Sequence, residues 1–437
     1  MPSLVTSQCF ASRLSKESLD HWAARLRDNA NDRLDKRKKN TGPLSGFRIL
    51  DLSRVLSGPA ATMLLADQGA DVIKVEPLSG DITRHAGMGR DGMTSFFLNI
   101  NRGKRAICLD LHSPEGIQIV KDIAASCDVL VQNFRPGAVE GMGLGFEAIK
   151  EVNQAIVYAS ISGFGETGPY AKERVYDPII QALSGITDIQ ADSDEGRPRM
   201  VRTVIPDKTT ALTAAQAITA GLLQRERTGK GQHIKLAMLD AMIAYLWPEG
   251  MVNLTLIDEE QDLRVGQLAQ DLVFETTDGY ITAGAMSDKE WEGLCLALNK
   301  EEWINDSRFN STSGRFKNAK VRIEETGKVL ATETSKDWLE KLSAHGVPCA
   351  PILTRHEMLK NEQVINNNII SEYEHPGMGR VRQPRSAARF EWQDEPCTPL
   401  APVLGQHNQD ILLEIGRSQS EIDSLHRDGI LFSKAKP

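Results

Sequence analysis

Short apolar runs alternate with amphipathic stretches along the first half of the chain. The apolar runs have the length and the β-branched content of buried strands. Some amphipathic stretches carry helix-start signals, such as Ser113 followed by Pro114. Because strands that alternate with helices pair in parallel, the pattern predicts an α/β fold with a doubly wound, mostly parallel sheet. The predicted strands are 48–53, 71–76, 106–111, 128–134, 155–162 and 233–239, and the predicted helices are 60–70, 113–127, 146–153 and 209–227.

After residue 250 the pattern changes to short helices and hairpins. Residues 272–285 alternate on either side of Asp278-Gly279, which is a hairpin turn signal. A proline-bounded strand is predicted at 345–352. These features predict a smaller α+β domain beside the large one. The predicted divisions are a polar N-terminal extension (1–41, with a helical pattern at 15–34), a large α/β domain (42–250), a small domain (251–355) and a C-terminal segment (356–437).

Composition narrows the function classes. The 437 residues include 51 Lys plus Arg against 59 Asp plus Glu, a net charge of -8, which argues against a nucleic-acid binder. The 6 cysteines form no CxxC pair and the 9 histidines show no metal-ligand spacing. No apolar run is long enough for a transmembrane helix. We therefore expect a reduced, cytoplasmic protein without a metal, a membrane partner or a nucleic-acid partner.

One glycine motif invites a dinucleotide interpretation. Residues 163–168 read GFGETG and follow a predicted strand. A dinucleotide fingerprint also needs a helix to begin within the motif, so that the helix N-terminus meets the pyrophosphate. Pro169 and a polar, loop-like stretch follow instead. An NAD-dependent oxidoreductase is therefore a minor alternative.

Two aspartates precede predicted helices. Asp177 is followed by Pro178, and Asp207 follows Pro206 at the start of a long helix. Aspartate is a favoured N-cap, so each has a purely structural interpretation. The carboxyl edge of a parallel sheet is also where α/β enzymes bind ligands, and an ionised carboxylate is a nucleophile. A helix dipole would favour the ionised form. The residues alone leave both interpretations open.

Five motifs, in order along the chain, resemble those of the class III CoA-transferases. This family includes formyl-CoA transferase and carnitine CoA-transferase, and α-methylacyl-CoA racemases are its relatives. The resemblance implies an interlocked homodimer, a C-terminal segment that returns to the large domain, and acyl-CoA as substrate with no permanently bound cofactor. The motifs are ILDLSRVLSGPAATMLLADQGADVIKVEPLSGD (49–81), NRGKRAICLDL (101–111), DVLVQNFRPG (128–137), SISGFGETGPY (160–170) and ERTGKGQHIKLAMLDA (226–241).

The resemblance also implies roles for individual residues. The family's catalytic aspartate stands at the strand end before the long helix, which is Asp207 here. Asp177 falls in a neighbouring segment that helps to bind CoA. Arg102, Lys104 and Arg135 would meet phosphates through charge-assisted contacts. The predicted CoA-binding residues are Val55, Leu56, Ser57, Arg102, Lys104, Leu109, His112, Asn133, Phe134, Arg135, Arg174, Tyr176 and Asp177.

The implied reaction moves CoA from an acyl-CoA to a free carboxylic acid. Asp207 would attack the thioester to form an anhydride, which the CoA thiolate would convert into an aspartyl-CoA thioester. Arg199 and Arg202, just upstream, suggest a dicarboxylate such as succinate. The related racemases carry histidine where this chain has Tyr176, and a phenol is a poor general acid–base group near neutral pH. This difference favours a transferase, and an acyl-CoA racemase remains the alternative.

Overall fold

The computed structural model describes residues 42–90, 92–191, 196–258, 271–391 and 400–434. The predicted N-terminal extension, including its helical pattern at 15–34, lies outside these ranges. The strands are β1 (Arg48–Asp51), β2 (Asp71–Glu76), β3 (Gly89–Arg90), β4 (Met93–Thr94), β5 (Lys104–Cys108), β6 (Val129–Gln132), β7 (Val157–Ser162), β8 (Gln232–Ala237), β9 (Val273–Glu275), β10 (Tyr280–Ala283), β11 (Cys349–Pro351), β12 (Ile370–His375) and β13 (Gly379–Pro384).

Helices account for most of the remaining regular structure in the described ranges. In chain order they are α1 (Ser57–Asp67), α2 (Ser95–Asn101), α3 (Pro114–Ala124), α4 (Ala138–Gly141), α5 (Phe146–Val152), α6 (Asp177–Leu183), α7 (Ile186–Ile189), α8 (Ile205–Thr228), α9 (Met238–Gly250), α10 (Asp288–Ala297), α11 (Thr312–Lys317), α12 (Ala319–Leu330), α13 (Ser335–Ala344), α14 (Arg355–Met358), α15 (Glu362–Asn366), α16 (Asn408–Glu414) and α17 (Gln419–Arg427). Short 3-10 turns occur at Ile82–Arg84, Val252–Leu254 and Glu301–Trp303. Within the described ranges, no helix combines the length and the apolar character needed to cross a membrane.

A sheet of six parallel strands carries the fold. Its order is β5-β2-β1-β6-β7-β8, and every neighbouring pair is parallel. The chain leaves β1 outward through β2 and β5, and then returns to place β6, β7 and β8 on the other side. This arrangement confirms the predicted doubly wound α/β class. It also creates a crevice between the carboxyl ends of β1 and β6, the usual ligand position in such sheets.

Two helices begin earlier than the sequence pattern predicts. Helix α1 starts at Ser57 and includes Pro59, and helix α8 starts at Ile205 with Pro206 in its first turn. Proline is accommodated there because the first helical N–H groups have no intrahelical acceptor. The early start of α8 places Asp207 inside the first turn of the helix instead of before it.

The chain forms two compact units, each with its own core. The first contains the described residues of 42–184, 201–242 and 369–434, and the second contains those of 185–200 and 243–368. In the first unit, Ile411 and Leu412 of α16 pack in one cluster with Leu50, Ile73 and Ile107 of the sheet. The second unit contains the antiparallel hairpin of β9 and β10, which confirms the predicted turn. Its core is rich in large aromatic residues, Trp291, Trp303, Phe309 and Trp338.

The C-terminal segment contains a hairpin that the sequence analysis did not predict. Strands β12 and β13 pair antiparallel, with Ile370 opposite Pro384 and His375 opposite Gly379. Their side chains are mostly exposed or half-buried, so the strands lack the continuous apolar run that marks the central sheet. The hairpin belongs to the first unit.

Candidate active site

Paired hydrogen bonds connect the segments that follow β1 and β6, next to the crevice. Asn133, just after β6, accepts the Arg54 N–H through its Oδ1 at 2.8 Å. Its Nδ2 donates to the Arg54 carbonyl at 2.7 Å. The guanidinium of Arg54 lies 5.5 Å from the ring centroid of Phe134, within cation–π range. The turn after β1 is therefore anchored to the strand on the other side of the crevice.

The turn that connects β1 to α1 is strained and closely packed. Val55 has φ of 69°, a left-handed conformation that β-branched residues seldom adopt. A Cβ on Gly58 would lie 2.3 Å from the Cβ of Ser53, so only glycine fits there. Such strain persists only where the surrounding structure fixes it. The turn delivers Ser57 as the first residue of α1.

Asp207 meets the start of helix α1 instead of capping its own helix. The backbone N–H and the hydroxyl of Ser57 favour the charged form of its carboxylate and so act to lower its pKa. The first N–H groups of a helix have no intrahelical acceptor, so the Ser57 N–H is free to point outward. The Asp207 side chain is half-buried, whereas Ser57 is buried. The carboxylate therefore sits at the positive end of α1.

Asp177 supports the same site from helix α6. Its Oδ2 accepts the Asp207 backbone N–H at 3.2 Å, and its Oδ1 accepts from Gln181 Nε2 at 2.7 Å. Asp177 is buried. The two aspartates are thus helix-terminal acceptors, but neither side chain caps the helix to which it belongs. The simple N-cap interpretation of each residue is wrong in that respect.

The pKa of Asp207 is raised from its ordinary value of 3.8 to about 6. Burial is the largest cause, and the negative charge of Asp177 adds to it. The backbone N–H and the hydroxyl of Ser57 act in the opposite direction and lower the pKa. The helix dipole, which was expected to keep this carboxylate ionised, is therefore only one of several influences on its pKa. Asp207 is mainly ionised at neutral pH, yet it is more basic than an ordinary aspartate.

Comparison with known proteins identifies the family. The sequence profile described as CoA-transferase family III matches residues 44–408. The chain belongs to CoA-transferase family III. This membership confirms the resemblance inferred from the ordered motifs.

Relatives of this family III protein share most of its length. The succinyl-CoA:glutarate CoA-transferase of Mus musculus is 38% identical over 398 residues, which cover 89% of this chain and 90% of the mouse protein. The succinate–glutarate CoA-transferase of Agrobacterium fabrum is 34% identical, with 85% of this chain and 96% of that protein covered. The crystal structure of a CAIB/BAIF family protein from Brucella suis has a TM-score of 0.74 and 32% identity, covering 86% of this chain and 100% of that one. The protein is accordingly a CoA-transferase with the mixed α/β fold predicted from its sequence.

Several of the predicted CoA-binding residues surround the crevice of this CoA-transferase. Val55, Leu56 and Ser57 form the turn after β1, and Asn133 and Phe134 follow β6. Four more predicted residues have exposed side chains, and these are His112, Arg135, Arg174 and Tyr176. The sequence analysis missed Arg54, although a basic residue directly after the first strand was a signal that could have indicated it.

Three predicted CoA contacts are corrected by the structure. Arg102 is buried and pairs with Asp67 at 2.6 Å. Lys104 is buried and pairs with Asp51 at 2.9 Å. Leu109 is fully buried in the core of the first unit. The two cations already have internal partners and the leucine faces the core, so we do not assign them to CoA.

The glycine motif after β7 lacks the geometry of a dinucleotide site. The motif lies between the end of β7 at Ser162 and the start of α6 at Asp177, and no helix begins within it. Gly165 has φ of 94° and its N–H binds the Ser162 hydroxyl at 3.1 Å, as in an irregular turn. The oxidoreductase alternative therefore loses its structural basis.

Proposed function

We propose that this CoA-transferase moves CoA from an acyl-CoA donor to a dicarboxylic acid such as succinate or glutarate, with Asp207 as the nucleophile. The observation that supports Asp207 as the nucleophile is that its carboxylate interacts with the start of α1 at Ser57 and that its pKa is raised to about 6. The names of the mouse and Agrobacterium relatives support the acceptor class. A more basic carboxylate is a stronger nucleophile, and at about 6 it still keeps its negative charge at neutral pH.

The first half-reaction would transfer CoA to the enzyme. An Asp207 oxygen attacks the thioester carbonyl carbon, the carbon–sulfur bond breaks, and CoA leaves as a thiolate. The thiolate then attacks the Asp207 carbonyl of the mixed anhydride, and the donor acid leaves as a carboxylate. The N–H and hydroxyl of Ser57 already favour the charged form of the Asp207 carboxyl. They are placed to stabilise the oxyanion that develops on that carboxyl during thiolate attack.

The second half-reaction reverses these steps with the acceptor. The acceptor carboxylate attacks the aspartyl-CoA thioester, which gives a new anhydride and CoA thiolate. The thiolate attacks the acceptor carbonyl, and Asp207 leaves as a free carboxylate. Each step exchanges one activated acyl group for another, so charge and protons balance without a further reactant. Excluding water from the anhydride would be essential, since hydrolysis would waste the donor.

Residues around the crevice would hold the two substrates. Arg54 and Phe134 present a cation and an aromatic face to the adenine or pantetheine part of CoA. The exposed His112, Arg135, Arg174 and Tyr176 remain proposed CoA contacts, together with the turn at Val55 and Leu56. Arg202 is exposed and lies five residues before Asp207 in the chain, so we assign it to the distal carboxylate of the acceptor.

We also propose that the protein is a homodimer. In the second unit, helix α9 and the residues after it carry exposed large apolar side chains, among them Tyr245, Trp247, Leu256 and Ile257. Several large apolar groups exposed on one short segment are typical of an interaction surface. Analytical ultracentrifugation is expected to give a dimer at all concentrations tested. A stable monomer would contradict this assignment.

Chemical trapping tests the nucleophile directly. The protein is incubated with succinyl-CoA, treated with hydroxylamine, and digested for mass spectrometry. We expect a hydroxamate on Asp207, and the same result in the control variant Asp410→Asn, which alters an exposed acid in the first turn of α16. Labelling on Asp177 or on no aspartate would refute the proposal. Exchange of an α-proton of the acyl-CoA for solvent deuterium, without CoA transfer, would favour the racemase alternative.

A panel of acceptors tests the substrate class separately. Glutarate and succinate are expected to exceed acetate in kcat/KM by about tenfold or more, because one charge-assisted contact to the distal carboxylate contributes on that scale. The variant Arg202→Met should reduce this preference and leave acetate turnover unchanged. Equal rates for monocarboxylates and dicarboxylates would overturn the acceptor class while leaving Asp207 as the nucleophile.

A further inference from the structure

A cluster of buried charges lies behind the turn that carries Ser57. It contains three acids and three bases, so its formal charges cancel. Each of the six residues is at most 3% exposed. Burying that many ions is costly, and apolar residues of similar volume often stabilise a fold as well or better. The members are Asp51, Lys74, Glu76, Asp81, Arg84 and Lys104.

Asp51 and Lys104 connect the sheet to the first turns of α1. Lys104 donates from Nζ to Asp51 Oδ2 at 2.9 Å, to the Pro59 carbonyl at 2.8 Å and to Asn101 Oδ1 at 2.8 Å. The three ammonium hydrogens are thereby all used. Asp51 Oδ2 also accepts from the Thr62 hydroxyl at 2.7 Å. Pro59 and Thr62 both belong to α1, so the ion pair fixes this helix just after Ser57.

The same cluster holds the chain just before Ser57. Asp51 Oδ1 accepts the Ser53 backbone N–H at 2.9 Å and also the Ser53 hydroxyl. Lys74 donates to the Ser53 carbonyl at 2.9 Å and to Asp81 Oδ2 at 3.0 Å. Ser53 is therefore held at its N–H, its carbonyl and its side chain. Between this residue and Pro59 lies the strained Val55, whose conformation requires support from its surroundings.

We propose that the buried Asp51–Lys104 pair, with Lys74, is a positioning device that holds the Ser57 donors against the Asp207 carboxylate. This inference rests on the proposed function, because it assigns the purpose of the pair to the nucleophile. The contacts bracket Ser57 on both sides, at Ser53 and at Pro59. Both side chains are fully buried, so the pair would act only through the position of Ser57.

The acid strength of Asp207 provides a readout that simple folding would not affect. The Ser57 donors favour the charged form of Asp207. Their displacement would therefore raise the pKa of Asp207 above about 6 and move the pH midpoint of acylation toward alkaline values. In the described residues, the charge that raises this pKa is that of Asp177 on α6, and α1 contributes the Ser57 donors. In a variant that leaves Asp177 intact, a shift in the pKa of Asp207 therefore reports on the position of the Ser57 donors.

The first test is Thr62→Val, which removes one hydrogen bond to Asp51 without altering any charge. Single-turnover acylation by succinyl-CoA is measured from pH 5 to pH 9. We expect acylation at pH 6 to slow by about threefold to tenfold, with an alkaline shift of the midpoint. This is less than the loss of a direct hydrogen bond to a charged group, because Thr62 acts on Asp207 only through Asp51 and the turn. The control Tyr158→Phe loses a buried hydrogen bond to the Leu144 carbonyl of 2.8 Å elsewhere in the same unit. It should lower stability and leave the pH profile unchanged.

A double-mutant cycle separates positioning from direct electrostatics. Lys104→Met is made in the wild-type and in the Ser57→Ala background, and Thr62→Val replaces it in the cycle if that variant does not fold. If the network acts through Ser57, Lys104→Met should shift the midpoint more in the wild-type background than in Ser57→Ala, where only the backbone N–H of residue 57 remains to be displaced. Equal shifts in both backgrounds, or no shift in either, would overturn the proposal.

The trapping result keeps the two proposals distinguishable. If wild-type protein is labelled at Asp207 and the network variants keep the wild-type pH profile, the positioning role is wrong and the nucleophile stands. If wild-type protein is not labelled at Asp207, the proposed nucleophile fails, and the positioning role fails with it.

Discussion

Two aspartates in the first unit lose contact with water, yet their pKa values shift in opposite directions. Asp51 lies at the end of β1 and Asp207 lies in the first turn of α8. Burial raises the pKa of both. At Asp51, the positive charges of Lys104 and Lys74 outweigh burial and lower the pKa to about 2. At Asp207 the neighbouring charge is the negative one of Asp177, and the pKa rises to about 6. The sign of the neighbouring charge, and not burial itself, separates the structural carboxylate from the proposed nucleophile.

The two carboxylates also affect stability in opposite pH ranges. The pKa of Asp51 is lowered, so its contribution to stability is present above its ordinary value of 3.8 and is lost as the pH falls toward about 2. The pKa of Asp207 is raised, so its contribution is present below 3.8 and is lost as the pH rises through about 6. At neutral pH, Asp51 stabilises the fold and Asp207 reduces its stability. Reduced stability is a common property of functional groups.

Removing the carboxylate of the proposed nucleophile gives the largest expected effect. Asp207→Asn keeps the shape of the side chain but cannot form the anhydride, so CoA transfer should fall by at least about ten-thousandfold. Steady-state transfer from succinyl-CoA to glutarate measures this loss. The matched Asp410→Asn variant should keep wild-type activity. Retention of a tenth of the activity in Asp207→Asn would show that the two aspartates are not divided as proposed.

Breaking the structural pair should act mainly on folding. Lys104→Met leaves Asp51 as an uncompensated buried charge and should reduce the free energy of unfolding by about 3 to 5 kcal/mol. Urea denaturation followed by circular dichroism measures the change. The double variant Asp51→Asn with Lys104→Met removes both charges and should recover a large part of the loss. A single variant as stable as wild type would mean that the pair adds nothing to the fold.

The sheet could be predicted from local sequence, whereas the proposal of Asp207 as nucleophile came from the family resemblance. Each central strand is buried on both faces and therefore reads as an apolar run, and the predicted bounds 71–76 agree with β2. The starts of α1 and α8 could not be predicted, because Ser57-Gly58-Pro59 and Ile205-Pro206 have the composition of turns. Only the packed structure shows that each proline lies in a first helical turn.

The pairing of Asp51 with Lys104 also could not be predicted from the local sequence pattern. The two residues lie on β1 and β5, which are separated in the sheet by β2. A lysine at a strand start usually faces solvent, and local pattern gives no indication that Lys104 is buried against Asp51. Likewise, the raised pKa of Asp207 depends on Asp177, thirty residues away in sequence. Burial in the folded chain and long-range charge contacts decide both properties, and a single sequence displays neither.

Removing the hydroxyl donor tests how strongly the reactive carboxylate depends on α1. Ser57→Ala keeps the backbone N–H but removes one hydrogen bond to a charged group, which corresponds to a loss in kcat of about tenfold to a hundredfold. The same bond lowers the pKa of Asp207, so the acidic limb of the pH–rate profile should move to higher pH. A variant with wild-type kcat and an unchanged profile would show that the backbone N–H alone suffices. Ser57→Thr retains a hydroxyl and should restore much of the rate.

Removing the neighbouring negative charge should make Asp207 more like Asp51. In Asp177→Asn the like charge is gone, so the pKa of Asp207 should fall below about 6 and the acidic limb should move to lower pH. The ratio of acylation rates at pH 5 and pH 8 should rise by about twofold to fivefold, because a larger fraction of Asp207 is then ionised at pH 5. This ratio is informative even if the absolute rate falls, since the asparagine cannot accept from both Gln181 and the Asp207 N–H without reorienting. An unchanged ratio would mean that burial alone raises the pKa, and the contrast between the two aspartates would then depend on Lys104 and Lys74 only.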